Sequence, residues 1–151
     1  PTPSSDSRIV YVNNLMPNDN GNGLTPATAK RTLAAAKNLM RSGYPDRMLL
    51  KEGGVWYESF GNWTLSGRKK AEPMVISYYR DPGATGGVTR PRINVPGQTG
   101  TGLGMWGNTA VKHLTIYGLD FYGQNWAGVP GAQYGDAAAG IAIHAPTENI
   151  N

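Results

Sequence analysis

Gly102-Leu103-Gly104-Met105-Trp106-Gly107 is answered later in the chain by Gly140-Ile141-Ala142-Ile143-His144-Ala145. Val111-Lys112-His113-Leu114-Thr115 is answered by Thr147-Glu148-Asn149-Ile150-Asn151. The first pair of blocks lies 38 residues apart and the second 36, so the repeat is elastic, as stacked units with loops of varying length are. Within each block the apolar residues alternate, which is the period of a β-strand. Matched inward positions in successive units bury one continuous column. A bare turn of a parallel β-helix needs only about two dozen residues. The surplus must loop out, and residues 123–139, rich in Gly and Ala, are where it does so.

Outward from the repeat, the chain reads as short strands separated by turns. Residues 8–13 form a β-branched and aromatic run. Further strands are expected at 47–51, 55–58, 73–79, 90–95, 113–117, 119–122 (after a kink at Gly118) and 140–144. Residues 13–26 carry Asn, Asp, Gly and Pro at a density that marks a surface loop. One helix is expected, over residues 28–41, with Leu33, Ala36, Leu39 and Met40 on one face and a stop at Ser42-Gly43. Strands without a helix between each pair exclude a βαβ sheet. Gly and Pro make up 21 and 11 of the 151 residues, and charged residues only 16%, which argues against a helical bundle. The alternation places Leu49, Val75, Ile76, Leu103, Leu114, Ile116, Ile141 and Ile143 in the core.

Tyr11-Val12-Asn13, a loop ending Gly23-Leu24-Thr25-Pro26-Ala27-Thr28, the run Lys30-Arg31-Thr32-Leu33-Ala34-Ala35-Ala36, and Asp46-Arg47-Met48-Leu49-Leu50-Lys51-Glu52-Gly53-Gly54-Val55-Trp56-Tyr57-Glu58 follow in that order. This order resembles the N-terminal segment of right-handed parallel β-helix proteins of the pectate-lyase-like superfamily, strongly over residues 8–58 and loosely over 102–151. The resemblance implies an all-β, right-handed parallel β-helix (a solenoid), here its N-terminal part, with one capping α-helix over the edge of the first coil. It also implies a secreted or extracellular protein that binds or cleaves polysaccharide, by lyase or glycoside hydrolase chemistry. The alternative is a non-enzymatic structural or carbohydrate-binding module of a surface protein or extracellular assembly.

Residues 1–7, opening Pro1-Thr2-Pro3-Ser4-Ser5, read as a linker or processed end, and residues 8–151 as cap and first coils. Glu148-Asn149-Ile150-Asn151 halts within what the first copy shows to be a strand. The expectation is therefore a truncated piece whose edge pairs with the rest of the same polypeptide or self-associates. No apolar run approaches 18 residues, so membrane insertion is not expected. The net charge of +4 and pI near 9.4 suit an anionic polysaccharide. Nucleic acid is not expected, because the cations form no dense stripe; Arg68-Lys69-Lys70 is the one tight cluster. With no cysteine, disulfides and thiolate metal sites are excluded. No cofactor is called for. Ca²⁺ is the one ion that Asn18-Asp19-Asn20-Gly21-Asn22-Gly23 could take, with Asp19 its sole charged ligand.

No motif carries over from the superfamily as catalytic, and the catalytic residues could lie outside this segment. Strand parity singles out side chains that project outward. Trp106 and His144 fall at the same position one coil apart, an aromatic surface with a titratable tip suited to a sugar ring; the competing reading is a corner packed under the 123–139 loop. His113, Tyr117, Asp120 and Tyr122 also face outward. His113 with Asp120 would make an acid/base pair for glycan chemistry, against the plainer reading that both bond to backbone. Trp126, in the long insertion, completes the aromatic set for substrate contact.

Overall fold

The computed structural model describes residues 2–95, 101–108, 110–123, 139–143 and 146–151. Among the described residues ten strands account for most of the regular structure: β1 (Ile9–Val12), β2 (Arg47–Lys51), β3 (Val55–Trp56), β4 (Met74–Tyr79), β5 (Arg92–Val95), β6 (Thr101–Met105), β7 (Val111–Ile116), β8 (Asp120–Gly123), β9 (Ala139–Ile143) and β10 (Thr147–Ile150). They form three sheets, ordered β1-β2-β4-β7-β10, β3-β5-β8 and β6-β9. Every strand pair in them is parallel. The chain visits the sheets in rotation: β2 then β3, β4 then β5 then β6, β7 then β8 then β9, and back to the first sheet with β10. The described residues are all-β in class, strands in parallel sheets with almost no helix.

Registers reproduce the repeat. Leu103 pairs with Ile141 and Met105 with Ile143, at the offset of the first blocks; Val111 pairs with Thr147 and Leu114 with Ile150, at that of the second. Between β7 and β8, Gly118 has φ +71°, the left-handed bend that a side chain resists.

The helix expected over 28–41 is far shorter. Pro26–Thr28 is a single 3₁₀ turn and α1 spans only Leu33–Lys37. Two interactions divide the segment. Lys30 adopts extended backbone and bridges Val12 in parallel, and the Thr32 side chain caps α1 by accepting from Ala35 N–H. The free edge of β1 is covered by this extended chain: Tyr11 N–H donates to Gly23 C=O, Lys30 N–H to Tyr11 C=O, and Asn13 N–H to Lys30 C=O. Edge protection comes from backbone pairing, while α1 turns Leu33 and Ala36 into the core.

Fully buried Val10, Val12, Met48, Leu50, Met74, Ile76, Leu103, Met105 and Leu114 form the centre of the core, together with Trp63. Leu49 is a one-residue slip: Met48 and Leu50 point inward and Leu49 is half-buried on the outer side. An unbroken Met-Leu-Leu run hides its own parity, which is fixed by pairing with Val10 and Val12. Val75 is buried but lies outside the core cluster, on the other side of β4 from Ile76. Ile116 is partly buried against the core. Ile141 and Ile143 stay exposed, at 42% and 47%. Their parity matches Leu103 and Met105, yet among the described residues a strand flanks β9 on one side only.

A buried carboxylate ties the first turns together. Asp46, with no exposed surface, accepts from Arg8 N–H at 2.8 Å, Arg41 N–H at 2.9 Å, and the Arg41 guanidinium at 2.6 and 3.0 Å. Burial alone would raise its pKa, but the hydrogen bonds and charge of Arg41, with Arg8 N–H, hold it below the ordinary carboxylate range. Residues 4–7, read above as a linker, are anchored: Ser4 Oγ donates to Glu72 at 2.7 Å, Asp6 pairs with Arg68, and Asp6 C=O accepts from Arg41 at 2.7 Å.

Candidate functional site

The outer face of the β3-β5-β8 sheet gathers the polar and aromatic side chains best placed for a ligand. Ile93 belongs to the core, so alternation turns Arg92 and Asn94 outward. Register sets Arg92 beside Asp120 and Asn94 beside Tyr122. On the other flank Val55 pairs with Arg92 and Trp56 with Ile93, and Tyr57 follows directly where β3 ends. Tyr57 is 71% exposed and Tyr122 49%.

Arg92 Nε donates to Asp120 Oδ2 at 2.7 Å, and its guanidinium stands 5.1 Å from the centroid of the Tyr122 ring. Both ion-pair partners are substantially exposed, so the contact contributes little to stability, but it helps hold the guanidinium over the Tyr122 ring. Asn94, on the central strand β5, is buried, and among the described residues its Oδ1 has no hydrogen-bond partner.

His113 and Asp120 do not make the expected acid/base pair, because the structure gives each a different partner. His113 Nδ1 lies 3.1 Å from Asn149 Nδ2, while Asp120 binds Arg92. Tyr117 follows β7, is half-exposed, and donates its N–H to Ile76 C=O at 3.1 Å. Trp106 is 38% exposed; its N–H donates to Asn62 Oδ1 at 3.0 Å and its C=O accepts from Asn62 Nδ2 at 3.4 Å. Its ring folds back over Gly104, where a Cβ would come within 2.1 Å of it. His144 and Trp126 lie outside the described residues.

Asp19 serves the backbone. Its Oδ1 accepts from Arg31 N–H at 2.6 Å and Thr32 N–H at 2.9 Å, and Oδ2 accepts from Thr32 Oγ1 at 2.9 Å. Burial tends to raise its pKa, but these bonds and the Lys30 charge leave it lowered. Beside it opens a cleft of about 550 Å³ lined by Asn14, Asp19, Arg31, Trp56, Tyr57 and Glu58. Burial, reinforced by the charge of Asp19, pushes Glu58 above the usual carboxylate range, against hydrogen bonds from Leu33 and Ala34 N–H. Both acids therefore hold the start of α1. Among the described residues no group of three or more His, Cys, Asp or Glu could hold a metal ion, and no helix is long and apolar enough to cross a membrane.

The fold resembles that of a GH136 lacto-N-biosidase. Crystal structures of that enzyme from Eubacterium ramulus, as the selenomethionine derivative and the native protein, superpose with TM-scores of 0.68 and 0.64. Identity is 18% in both, over 95% and 94% of this chain. The chain spans 26% of the length of the lacto-N-biosidase. No family model and no curated protein sequence matches it.

Arg92, Asn94 and Tyr57 are absent from the sequence-derived site, although parity within Arg92-Ile93-Asn94-Val95 places the first two outward. Their significance lies in register across strands. Neighbours on β5 and β8 are 28 residues apart, and the intervening loops conceal the match.

Proposed function

We propose that this chain forms the first coils of a right-handed parallel β-helix, of the pectate-lyase-like kind, in an extracellular protein that acts on polysaccharide. The observation that carries this reading is the rotation of the chain through three all-parallel sheets, matched over 95% of its length by a glycoside hydrolase. The exposed tyrosines on the β3-β5-β8 face suit it, since aromatic rings present flat apolar surface with a polar rim. Incubation of the full protein with a panel of neutral and uronate-containing polysaccharides tests it. Bound or shortened chains are expected with at least one substrate; inertness toward the whole panel would refute it.

A second reading, a binding module without cleavage, has one observation in its favour. Asp19, Asp46, Glu58 and Asp120 are each engaged by backbone N–H groups or an arginine, so each of the four already has a structural use. Glycan retention without product release distinguishes it from the enzymatic reading.

A further inference from the structure

We infer that the outer face of β3, β5 and β8 is a subsite for a neutral sugar chain, with Tyr57 and Tyr122 as stacking surfaces and Asn94 Oδ1 as the acceptor between them. This rests on the glycan reading above and specifies the substrate class at one site. Tyr57 follows β3 and Tyr122 lies in β8, the two strands that flank β5, and adjacent parallel strands lie about 4.8 Å apart. A chain of a few linked sugar rings would cross the strands to reach both tyrosines.

Asn94 supplies the polar contact. Only 7% of it is exposed, and among the described residues its Oδ1 has no partner. A buried acceptor left unsatisfied carries a desolvation cost, and native proteins rarely keep one without a use. Register places Asn94 beside Tyr122, and a ligand reaches the oxygen when the side chains around it turn aside, a motion that exposed side chains make in picoseconds to nanoseconds.

Charge and hydrogen-bond polarity select the ligand. An acceptor oxygen demands a donor, which a sugar hydroxyl or an acetamido N–H provides. A uronate's carboxylate cannot supply that donor but its ring hydroxyls can, so the discrimination against it rests on charge. Arg92 is the cation at this face, and Asp120 neutralises it at 2.7 Å. Elsewhere Arg41, Lys51, Arg68, Arg80 and Lys112 each pair with a carboxylate. The anionic preference suggested by the overall charge therefore does not extend to this face.

Calorimetric titration of the full chain with cellohexaose, mannohexaose, chitohexaose and hexagalacturonate tests the inference, with Tyr57→Ala, Asn94→Ala, Tyr122→Ala and, as control, Tyr44→Ala. At least one neutral hexasaccharide should bind, and more tightly than hexagalacturonate. Each of the three face variants should weaken it about tenfold or more, and Tyr44→Ala should not. Asn94→Ala should melt at or above the parent temperature, because it deletes an unsatisfied acceptor; a structural asparagine would melt lower. Neutral binding that survives all three substitutions, a preference for hexagalacturonate, or a destabilised Asn94→Ala would overturn this site and leave the glycan function standing. Failure of the parent to bind any of the four, together with inertness toward the polysaccharide panel, would refute that function and the site with it. Tyr57→Ala, at a largely exposed position, keeps the test decisive if another variant misfolds.

Discussion

Asn149 sits one circuit above His113, donating from Nδ2 toward His113 Nδ1 at 3.1 Å, and both residues occupy the left-handed region, at φ 51° and 54°. Residues on either side of them pair in register, Glu148 with Lys112 and Ile150 with Leu114. The two therefore form a stacked corner between strand segments. Left-handed backbone costs most residues about 1–2 kcal/mol, and Asn and Gly escape much of that. Asn149→Gly should lose only the side-chain bonds, to His113 and to the exposed Glu148 carboxylate at 3.2 Å, about 1 kcal/mol. Asn149→Val loses the bonds and adds backbone strain, about 2–3 kcal/mol in sum. Urea denaturation of both variants measures the order, and an Asn149→Val protein as stable as Asn149→Gly would show that the corner is not strained.

Asp46 predicts an acid limb to stability. Its folded pKa is depressed, so its contribution is complete above the unfolded value near 4 and is lost as pH falls through the folded value. Chemical denaturation between about pH 7 and pH 2 should show stability falling at the acid end. Asp46→Asn should lower stability at neutral pH by about 2–4 kcal/mol and flatten that limb. An unchanged slope in Asp46→Asn would assign acid unfolding to other carboxylates.

The repeat that set the fold was legible because Leu103, Met105, Ile141 and Ile143 alternate within short runs, and their offsets survive in the register. The helix was overread because Ala34-Ala35-Ala36 continues a helical pattern without a local stop. What divides the segment is the bridge from Lys30 to Val12 and the grip of Asp19 on Thr32, contacts 18 and 13 residues apart in the chain. At the candidate site, Tyr122 and Asp120 were visible from parity alone. Arg92 and Asn94 acquire meaning only beside them, and that adjacency depends on loop lengths that carry no periodic signal.

Equal parity does not mean equal burial, and stability should show it. Leu114 is fully buried in the core cluster, so Leu114→Ala should cost about 2–5 kcal/mol. Ile141, at 42% exposure, retains much of its contact with water in the folded state, and Ile141→Ala should cost less than about 1 kcal/mol. Thermal denaturation of the two variants side by side measures the contrast. Comparable losses would mean that Ile141 is covered in solution.

Gly67 fixes how closely one circuit lies on the next. Its N–H donates to Lys112 C=O at 2.9 Å, and a Cβ on it would meet His113 O at 2.3 Å and Met74 N at 2.4 Å. Both obstacles are backbone atoms of neighbouring strands, so neither can turn aside as a flexible side chain would. Gly67→Ala must therefore push β7 away from the 66–67 turn and strain the His113 corner above it. The expected cost is about 1–3 kcal/mol, read as a lower urea midpoint with an unchanged slope. Gly104→Ala offers the matched comparison: the crowding atoms there belong to the Trp106 ring, which can swing outward. That variant should keep more of its stability than Gly67→Ala while shifting Trp106 fluorescence to the red. If Gly67→Ala proves the milder of the two, the close approach of the circuits at Gly67 is not what holds the His113 corner in place.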